Sequence, residues 1–396
     1  MKVLQLCLKV PFPPNDGGCI AMHNMQKSWW ANNIQVKVLT FNTIKHPVQL
    51  DQLPTEYLAK TNIEGVYLDN RVKIFDALKA LIAGESYNVK RFISADFSEK
   101  LKSILKSEQF DVIQLESLYM APYIEDIRQC STAKIVFRPH NIEYKIWERL
   151  AKNTLNPIKK FYLKVLTKQL KKYEESILNK IDYLLPLTWE DAQELTMMRC
   201  RKSMMVLPIG VHANEYKVIP PPNNQVVFHL GAMDWLPNAE GVKWFLTEVW
   251  PLVSAKNKQV QLRLAGKGMP ASIMKLNASN VIVTNWVEDV QSFFKEGQVM
   301  IVPLLSGSGM RVKIIEGMAM GKAIVTTRIG LEGIVANDQE HLRIADSPAD
   351  FAGAILDLLD DESAVEKLGK AARQLVEVRY ELNFLGKKWA EFLKNN

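Results

Sequence analysis

Four cysteines in 396 residues are too few for a disulfide scaffold, and Cys7, Cys19, Cys130 and Cys200 have no metal-ligand spacing. That usage points to a reducing, cytoplasmic setting in which the thiols simply pack. No apolar run approaches the roughly 20 residues needed to cross a bilayer. The opening stretch Met1-Lys-Val-Leu-Gln-Leu-Cys-Leu8 is too short, and too polar afterwards, for a secretory signal, and reads as a first strand. No Asp-x-Asp pair occurs, in keeping with a metal-independent site, and no cofactor is expected. Neither early loop reads Gly-x-Gly-x-x-Gly, which disfavours a dinucleotide oxidoreductase. Short-period repeats, low-complexity tracts and recognised nucleic-acid motifs are also missing, so no nucleic-acid partner is expected.

What is present fits a soluble two-domain protein: 47% hydrophobic and 23% charged residues, in a chain too long for one ordinary core. The net charge of +7 is unevenly placed. Residues 1–207 hold 30 of the 50 basic and 22 of the 43 acidic side chains, so all the excess lies there. That half is expected to face an anionic surface or ligand.

Short apolar runs alternate with helical patterns along the whole chain. In the first half, strands are expected near 3–8, 36–41, 111–115, 135–138 and 183–187, with helices near 19–32, 99–108 and 157–179. In the second half, strands are expected near 226–230, 260–265, 281–283, 299–303, 323–326 and 342–344. The alternation implies an α/β chain with parallel sheets and crossover helices. Between the halves, residues 208–223 break all periodicity and include the three consecutive prolines 220–222, which suit neither a helix interior nor a central strand. The expected organisation is therefore an N-terminal Rossmann-like domain over 1–207, a linker over 208–223 and a C-terminal Rossmann-like domain over 224–381. Ligands of such sheets bind beyond the carboxyl ends of the strands.

One run carries most of the chemistry: Leu304-Leu-Ser-Gly-Ser-Gly-Met-Arg-Val-Lys-Ile-Ile-Glu-Gly-Met-Ala-Met-Gly321. It joins two apolar strand patterns through a glycine-rich turn into a helix. Such a turn leaves backbone N–H groups bare at a helix N-terminus, where they attract an anion. Arg311 and Lys313 could add positive charge, and an arginine can grip a diphosphate bidentately. Glu316, acceptor-only when ionised, suits sugar hydroxyls. Phosphate plus sugar on one turn points to a nucleotide-sugar.

With these motifs the chain resembles the family-4 (group 1) retaining glycosyltransferases of the GT-B fold, of the type that builds bacterial envelope polysaccharides. The likeness covers essentially the whole chain. It rests on Gly307–Gly321, with support from Pro11-Phe-Pro-Pro-Asn-Asp-Gly-Gly18, Arg138-Pro-His-Asn-Ile-Glu143 and Gly231-Ala-Met-Asp-Trp-Leu-Pro-Asn238. The resemblance implies two Rossmann-like domains facing a cleft, with the last helix, about 382–396, crossing back to the N-terminal domain. It implies transfer of a sugar, with retention, from a nucleotide-diphosphate sugar to a hydroxyl of a glycan or lipid-linked acceptor. It gives Glu316 the ribose hydroxyls and places His140 opposite the donor sugar. Gly17, Gly18, Gly231, Gly266, Lys267 and Val287 would border the donor, while Asn15, Asp16 and Asn141 would meet the acceptor.

The sequence departs from the family pattern twice. Ser308 stands where members carry a first glutamate, and nothing basic lies between Gly231 and Lys243 where members often carry an Arg–Lys pair. Arg311 and Lys313 are expected to replace that pair, with Ser308 and the amides of Gly309 and Met310 contacting the donor. Two rivals stay open: a sugar-nucleotide epimerase of the same architecture, and a non-catalytic nucleotide-sugar-binding protein. Lysines interleave with apolar residues over 156–172, a pattern suited either to the anionic inner face of the plasma membrane or to a solvated helix face. His23, His46, His212, His229 and His341 show no partner spacing and receive no role.

Overall fold

Short apolar segments, most of them buried on both faces, build two separate parallel sheets. The computed structural model describes residues 1–396 apart from Lys45, Asn223, Asn277, Ala278, Ser308 and Asn396. Its contacts separate two units, Met1–Ile209 with Leu382–Asn396, and Gly210–Glu381.

The first unit contains β1 (Lys2–Cys7), β2 (Gln35–Thr43), β3 (Glu64–Leu68), β4 (Val112–Glu116), β5 (Lys134–Arg138), β6 (Tyr183–Leu184) and β7 (Ser203–Met204). They pair in the order β3-β2-β1-β4-β5-β6-β7, all parallel. The strand order reverses between β1 and β4, the switch point at which such sheets open toward a ligand. One face is covered by a cluster that includes Phe41, Phe97 and Tyr123, and the other by the helix Gly17–Ala31. The final helix, Leu382–Asn395, packs on Gly17–Ala31, as the resemblance implied. Trp389 meets Trp29 with ring centroids 5.2 Å apart, both indoles fully buried. Gly386 permits the approach, because a Cβ there would come within 2.6 Å of the Ser28 carbonyl. Truncating either tryptophan should cost about 3–5 kcal/mol.

The second unit contains β8 (Val226–Leu230), β9 (Gln261–Ala265), β10 (Val281–Thr284), β11 (Val299–Val302), β12 (Ala323–Thr326) and β13 (Arg343–Ile344). Its parallel order is β10-β9-β8-β11-β12-β13, with the switch between β8 and β11. The helix Val312–Ala319 sits close to this sheet because Gly317 has no Cβ to meet Met300 Sδ, 2.7 Å from where one would lie. The segment before β8 belongs with this unit: Ile219 N donates to Met320 O at 2.9 Å and Val211 N to Tyr380 O at 2.8 Å.

All six strands expected in the second half are present. In the first, β3 and β7 were not foreseen. Both lie on the edges of their sheet and are only partly buried, so neither carries the continuous apolar run that marks an interior strand. Among the described residues no helix is long and apolar enough to cross a membrane.

Candidate active site

In the second unit the carboxyl ends of β8, β9 and β11 bring the expected donor residues together. Gly307 and Gly309 hold positive φ, +104° and +85°, which gives the turn before Val312–Ala319 its shape. A Cβ on Gly307 would lie 3.0 Å from the Trp235 ring. The helix that follows has no side-chain cap, so its first amides keep their capacity for an incoming acceptor. Arg311 is buried, its guanidinium 5.0 Å from the centre of the Trp235 ring, and Nη1 donates to the Gly309 carbonyl. Ser306 Oγ donates to Glu240 Oε2 at 2.8 Å, which ties the turn to the helix Leu236–Trp244. Ser308 lies outside the described residues.

Lys313 Nζ donates to Asn238 Oδ1 at 2.8 Å, while Asn238 Nδ2 donates to the Ala232 carbonyl at 2.7 Å. Burial, then the Arg311 charge, push the Lys313 amine down to about 7, with Glu316 acting in the opposite direction. Gly231 explains why nothing bulkier follows β8. A Cβ there would collide with Lys313 Nζ and lie 2.9 Å from Asn238 Nδ2 and 3.0 Å from His229 Nε2. Gly266 is equally constrained, since its Cβ would overlap the Gly231 carbonyl. Lys267 continues that turn, its carbonyl accepting from Met233 N at 2.7 Å. Val287 is half-buried beside the exposed Trp286 after β10.

His229, given no role from sequence, belongs to this constellation. Its Nδ1 donates to Ile301 O at 2.9 Å, and Nε2 is buried without a hydrogen-bond partner among the described residues. Burial and the nearby Lys313 hold the imidazole down to about 3, so it is neutral. Glu316 lies three residues after Lys313 on the same helix face. Tyr216 Oη donates to its Oε1 at 3.0 Å, leaving Oε2 available. Burial raises the Glu316 carboxyl, and Tyr216 and Lys313 oppose the rise. Tyr216 is itself fixed, its carbonyl accepting from Arg373 Nη1 at 2.8 Å.

In the first unit the focus is Glu116, which sequence reasoning missed. It ends β4 fully buried and in register with Arg138 at the end of β5. Its Oε1 accepts from Gln5 Nε2 and Gln114 Nε2, both at 2.7 Å. Its Oε2 accepts from Arg138 Nη1 at 3.2 Å and His140 Nε2 at 2.7 Å. The network continues through Gln26 Nε2 to Gln5 Oε1 at 2.8 Å, and Trp389 Nε1 donates to Gln114 Oε1 at 3.0 Å. A carboxylate closing a fully buried strand, two residues after the polar Gln114, was the signal that could have revealed it.

Asp16 caps the helix Gly17–Ala31, its Oδ1 accepting from Gly18 N at 2.9 Å and Cys19 N at 3.0 Å, while Lys9 Nζ holds Oδ2 at 2.5 Å. Its carboxylate therefore already has three donors. Asn15 is exposed, and a Cβ on Gly17 would meet nothing within 4 Å. Asn141 is half-buried just ahead of the helix Glu143–Asn153, whose first two amides donate to the Glu174 carboxylate at 2.9 Å each.

Residues 224–361 match the model of the family Glycosyl transferases group 1. A curated relative from Klebsiella pneumoniae, an uncharacterized 44.6 kDa protein in the cps region, is 22% identical over 391 residues, 96% of each chain. Among solved structures, sucrose-phosphate synthase from Thermosynechococcus elongatus superposes with a TM-score of 0.72 at 14% identity, covering 100% of this chain and 99% of its own. HepE from Anabaena, solved in complex with UDP, gives the same TM-score and identity over 100% of both chains. Residues 224–361 thus carry a match to the Glycosyl transferases group 1 family, and the whole chain shares the GT-B fold of these two structures.

Proposed function

We propose that the protein transfers a sugar, with retention of configuration and without a metal, from a nucleotide-diphosphate sugar to a hydroxyl of a glycan or lipid-linked acceptor. The observation that carries this reading is the convergence of Lys313 Nζ, Asn238 and His229 on Gly231, one helical turn from Glu316. A cation, bare helix amides and a carboxylate at that spacing match a diphosphate followed by a ribose. Lys313, Arg311 and the amides of Gly309 and Met310 would take the departing diphosphate, and Glu316 Oε2 the ribose hydroxyls. Gly266, Lys267 and Val287 border the base. His140, held through Nε2, would offer Nδ1 to a ligand hydroxyl, with Asn15, Asp16, Gly17, Gly18 and Asn141 around the same β1–β4 switch point.

In front-face chemistry the leaving diphosphate can itself accept the acceptor's proton, so the enzyme's contribution is positioning and leaving-group stabilisation. The complex of HepE with UDP and the cps-region location of the Klebsiella relative support a nucleotide-sugar donor and a role in polysaccharide assembly. The reaction would run on the cytoplasmic side, with the basic residues 156–172 at the membrane.

Thermal-shift titration with UDP-, GDP- and ADP-sugars tests donor binding, since a bound ligand raises apparent stability. Product analysis with and without acceptor then separates transfer from epimerisation. Turnover should survive EDTA, and Arg311→Ala should lower it about a hundredfold. A rate within a factor of two of the parent would remove Arg311 from the diphosphate site.

A further inference from the structure

The helix Ile74–Ile82 is built inside out. Ile74, Phe75, Leu78 and Ile82 are 73%, 80%, 49% and 87% exposed, while the small Ala80 faces inward. At 100° per residue those four side chains fall within about a quarter of the helix circumference, a single apolar stripe turned to solvent. Soluble monomers seldom expose contiguous apolar area of this kind without a use for it.

A second element adds to it. At the start of the helix Pro157–Ile177, Leu155, Ile158 and Phe161 are 97%, 81% and 70% exposed. The two elements are neighbours in the first unit. Gln169 Nε2 donates to the Leu81 carbonyl at 3.1 Å, and Lys73 N donates to Tyr87 Oη at 2.7 Å. The short helix Tyr87–Lys90 in turn packs on Pro157–Ile177. Charge on these segments is mostly of one sign. Lys73, Lys79, Lys159, Lys164 and Lys168 are exposed, against Asp76 as the acidic residue of the apolar helix.

We propose that residues 72–82 and 155–168 form one docking surface for an anionic lipid bilayer, with the apolar stripe entering the headgroup–acyl boundary and the lysines meeting lipid phosphates. The charge selects the occupant. A second copy of this chain would bring lysine against lysine, and an uncharged apolar partner would leave the lysines without counter-charge. A bilayer of acidic lipids satisfies both the stripe and its basic surround. The surface extends the membrane contact proposed for residues 156–172 by an insertion element, Ile74–Ile82, and it stands independently of the transfer chemistry.

The test is sedimentation of the full chain with phosphatidylcholine vesicles and with vesicles that also contain phosphatidylglycerol. The parent should co-sediment with the second kind at low salt and be largely released at high salt. A Phe75→Ser/Ile82→Ser double variant, which alters only exposed positions, should bind at least about tenfold more weakly, as should Lys159→Glu/Lys164→Glu. Thermal stability and UDP-sugar binding should match the parent in both variants, so a failure here is distinct from a failure of the glycosyltransferase reading. No retention on phosphatidylglycerol vesicles at low salt would overturn the proposal. So would equal retention of parent and variants, or a self-association that Phe75→Ser/Ile82→Ser abolishes without any vesicle binding.

Discussion

His140 Nε2 donates to the carboxylate of Glu116 across 2.7 Å, and Glu116 is fully buried while the His140 side chain is not. The bond fixes which face of the imidazole remains for a ligand: in the neutral ring Nδ1 carries the free lone pair. Glu116 also takes Arg138, Gln5 and Gln114, so its charge organises the end of the first sheet around the histidine.

That organisation has a pH signature. Burial by itself would raise the Glu116 carboxyl, but Arg138 and His140 outweigh it and hold it down to about 2. A carboxyl depressed on folding contributes stability that is present above its unfolded value and lost as pH falls toward the folded one. The window here runs from about 4.5 to about 2, and the contribution is on the order of 3 kcal/mol. Urea unfolding at pH 7 should show Glu116→Gln less stable by about 3 kcal/mol, because Arg138 is left buried and uncompensated. Between pH 5 and 2 the variant should lose less stability than the parent. Parallel acid profiles would mean that folding leaves the Glu116 carboxyl unshifted.

The two glycine sites separate steric necessity from ligand contact. Gly231→Ala pushes a methyl into Lys313 Nζ and against Asn238 and His229, so kcat/KM should fall about a hundredfold through displacement of the lysine. Gly17→Ala meets no protein atom within 4 Å, so the fold should be unaffected. Any loss of activity in Gly17→Ala then reports a ligand at that position. Parent-like kinetics would show that the glycine shapes only the turn.

Much of this architecture is legible in the sequence because interior parallel strands are continuous apolar runs; β8, β11 and β12 each bury nearly every residue. The edge strands β3 and β7 carry no such run and were missed for that reason, whereas the edge strand β10 keeps a Val-Ile-Val run that made it legible. The glycine-rich turn is legible because Gly307, Gly309, Arg311, Lys313 and Glu316 lie within ten residues. Their partners are not. Tyr216 reaches Glu316 across 100 positions, Asn238 reaches Lys313 across 75, and Glu116 meets His140 across 24. Such pairings are set by strand order, which residue spacing alone does not encode. His229 shows the limit most clearly: inside an apolar strand it reads as a core residue, and only the missing Cβ of Gly231 opens a path from its Nε2 to Lys313.

Tyr216 bears on how Glu316 would meet the ribose of the proposed donor. Its hydroxyl occupies Oε1 and leaves Oε2 as the acceptor for ligand hydroxyls. Tyr216→Phe should therefore weaken nucleotide binding only modestly, about three- to tenfold, through loss of orientation. Glu316→Gln should weaken it more, since it removes the charge that strengthens each bond to the ribose. Tighter nucleotide binding by Tyr216→Phe would instead mark the hydroxyl as a competitor for the carboxylate.

If Lys313 takes the donor diphosphate as proposed, it links binding to protons. Burial and Arg311 push its amine down to about 7, and the neutral oxygen of Asn238 is its hydrogen-bond acceptor. A bound diphosphate supplies the missing negative charge and so raises the amine's pKa. Below pH 7 the amine is charged with or without ligand, so the lysine adds no pH dependence of its own there. Above pH 7 the free protein loses that proton while the complex keeps it. Affinity should then fall by up to about tenfold per pH unit until the bound-state pKa is reached. At pH 8 the diphosphate has already lost its own protons, so uptake reports the protein. Calorimetric titration of UDP at pH 8 in two buffers of different ionisation heat should show uptake approaching one proton per nucleotide. Lys313→Met should bind more weakly and take up none. Zero uptake by the parent would mean that the amine is fully charged before the ligand arrives, and that the depression arising from its burial is relieved by solvent.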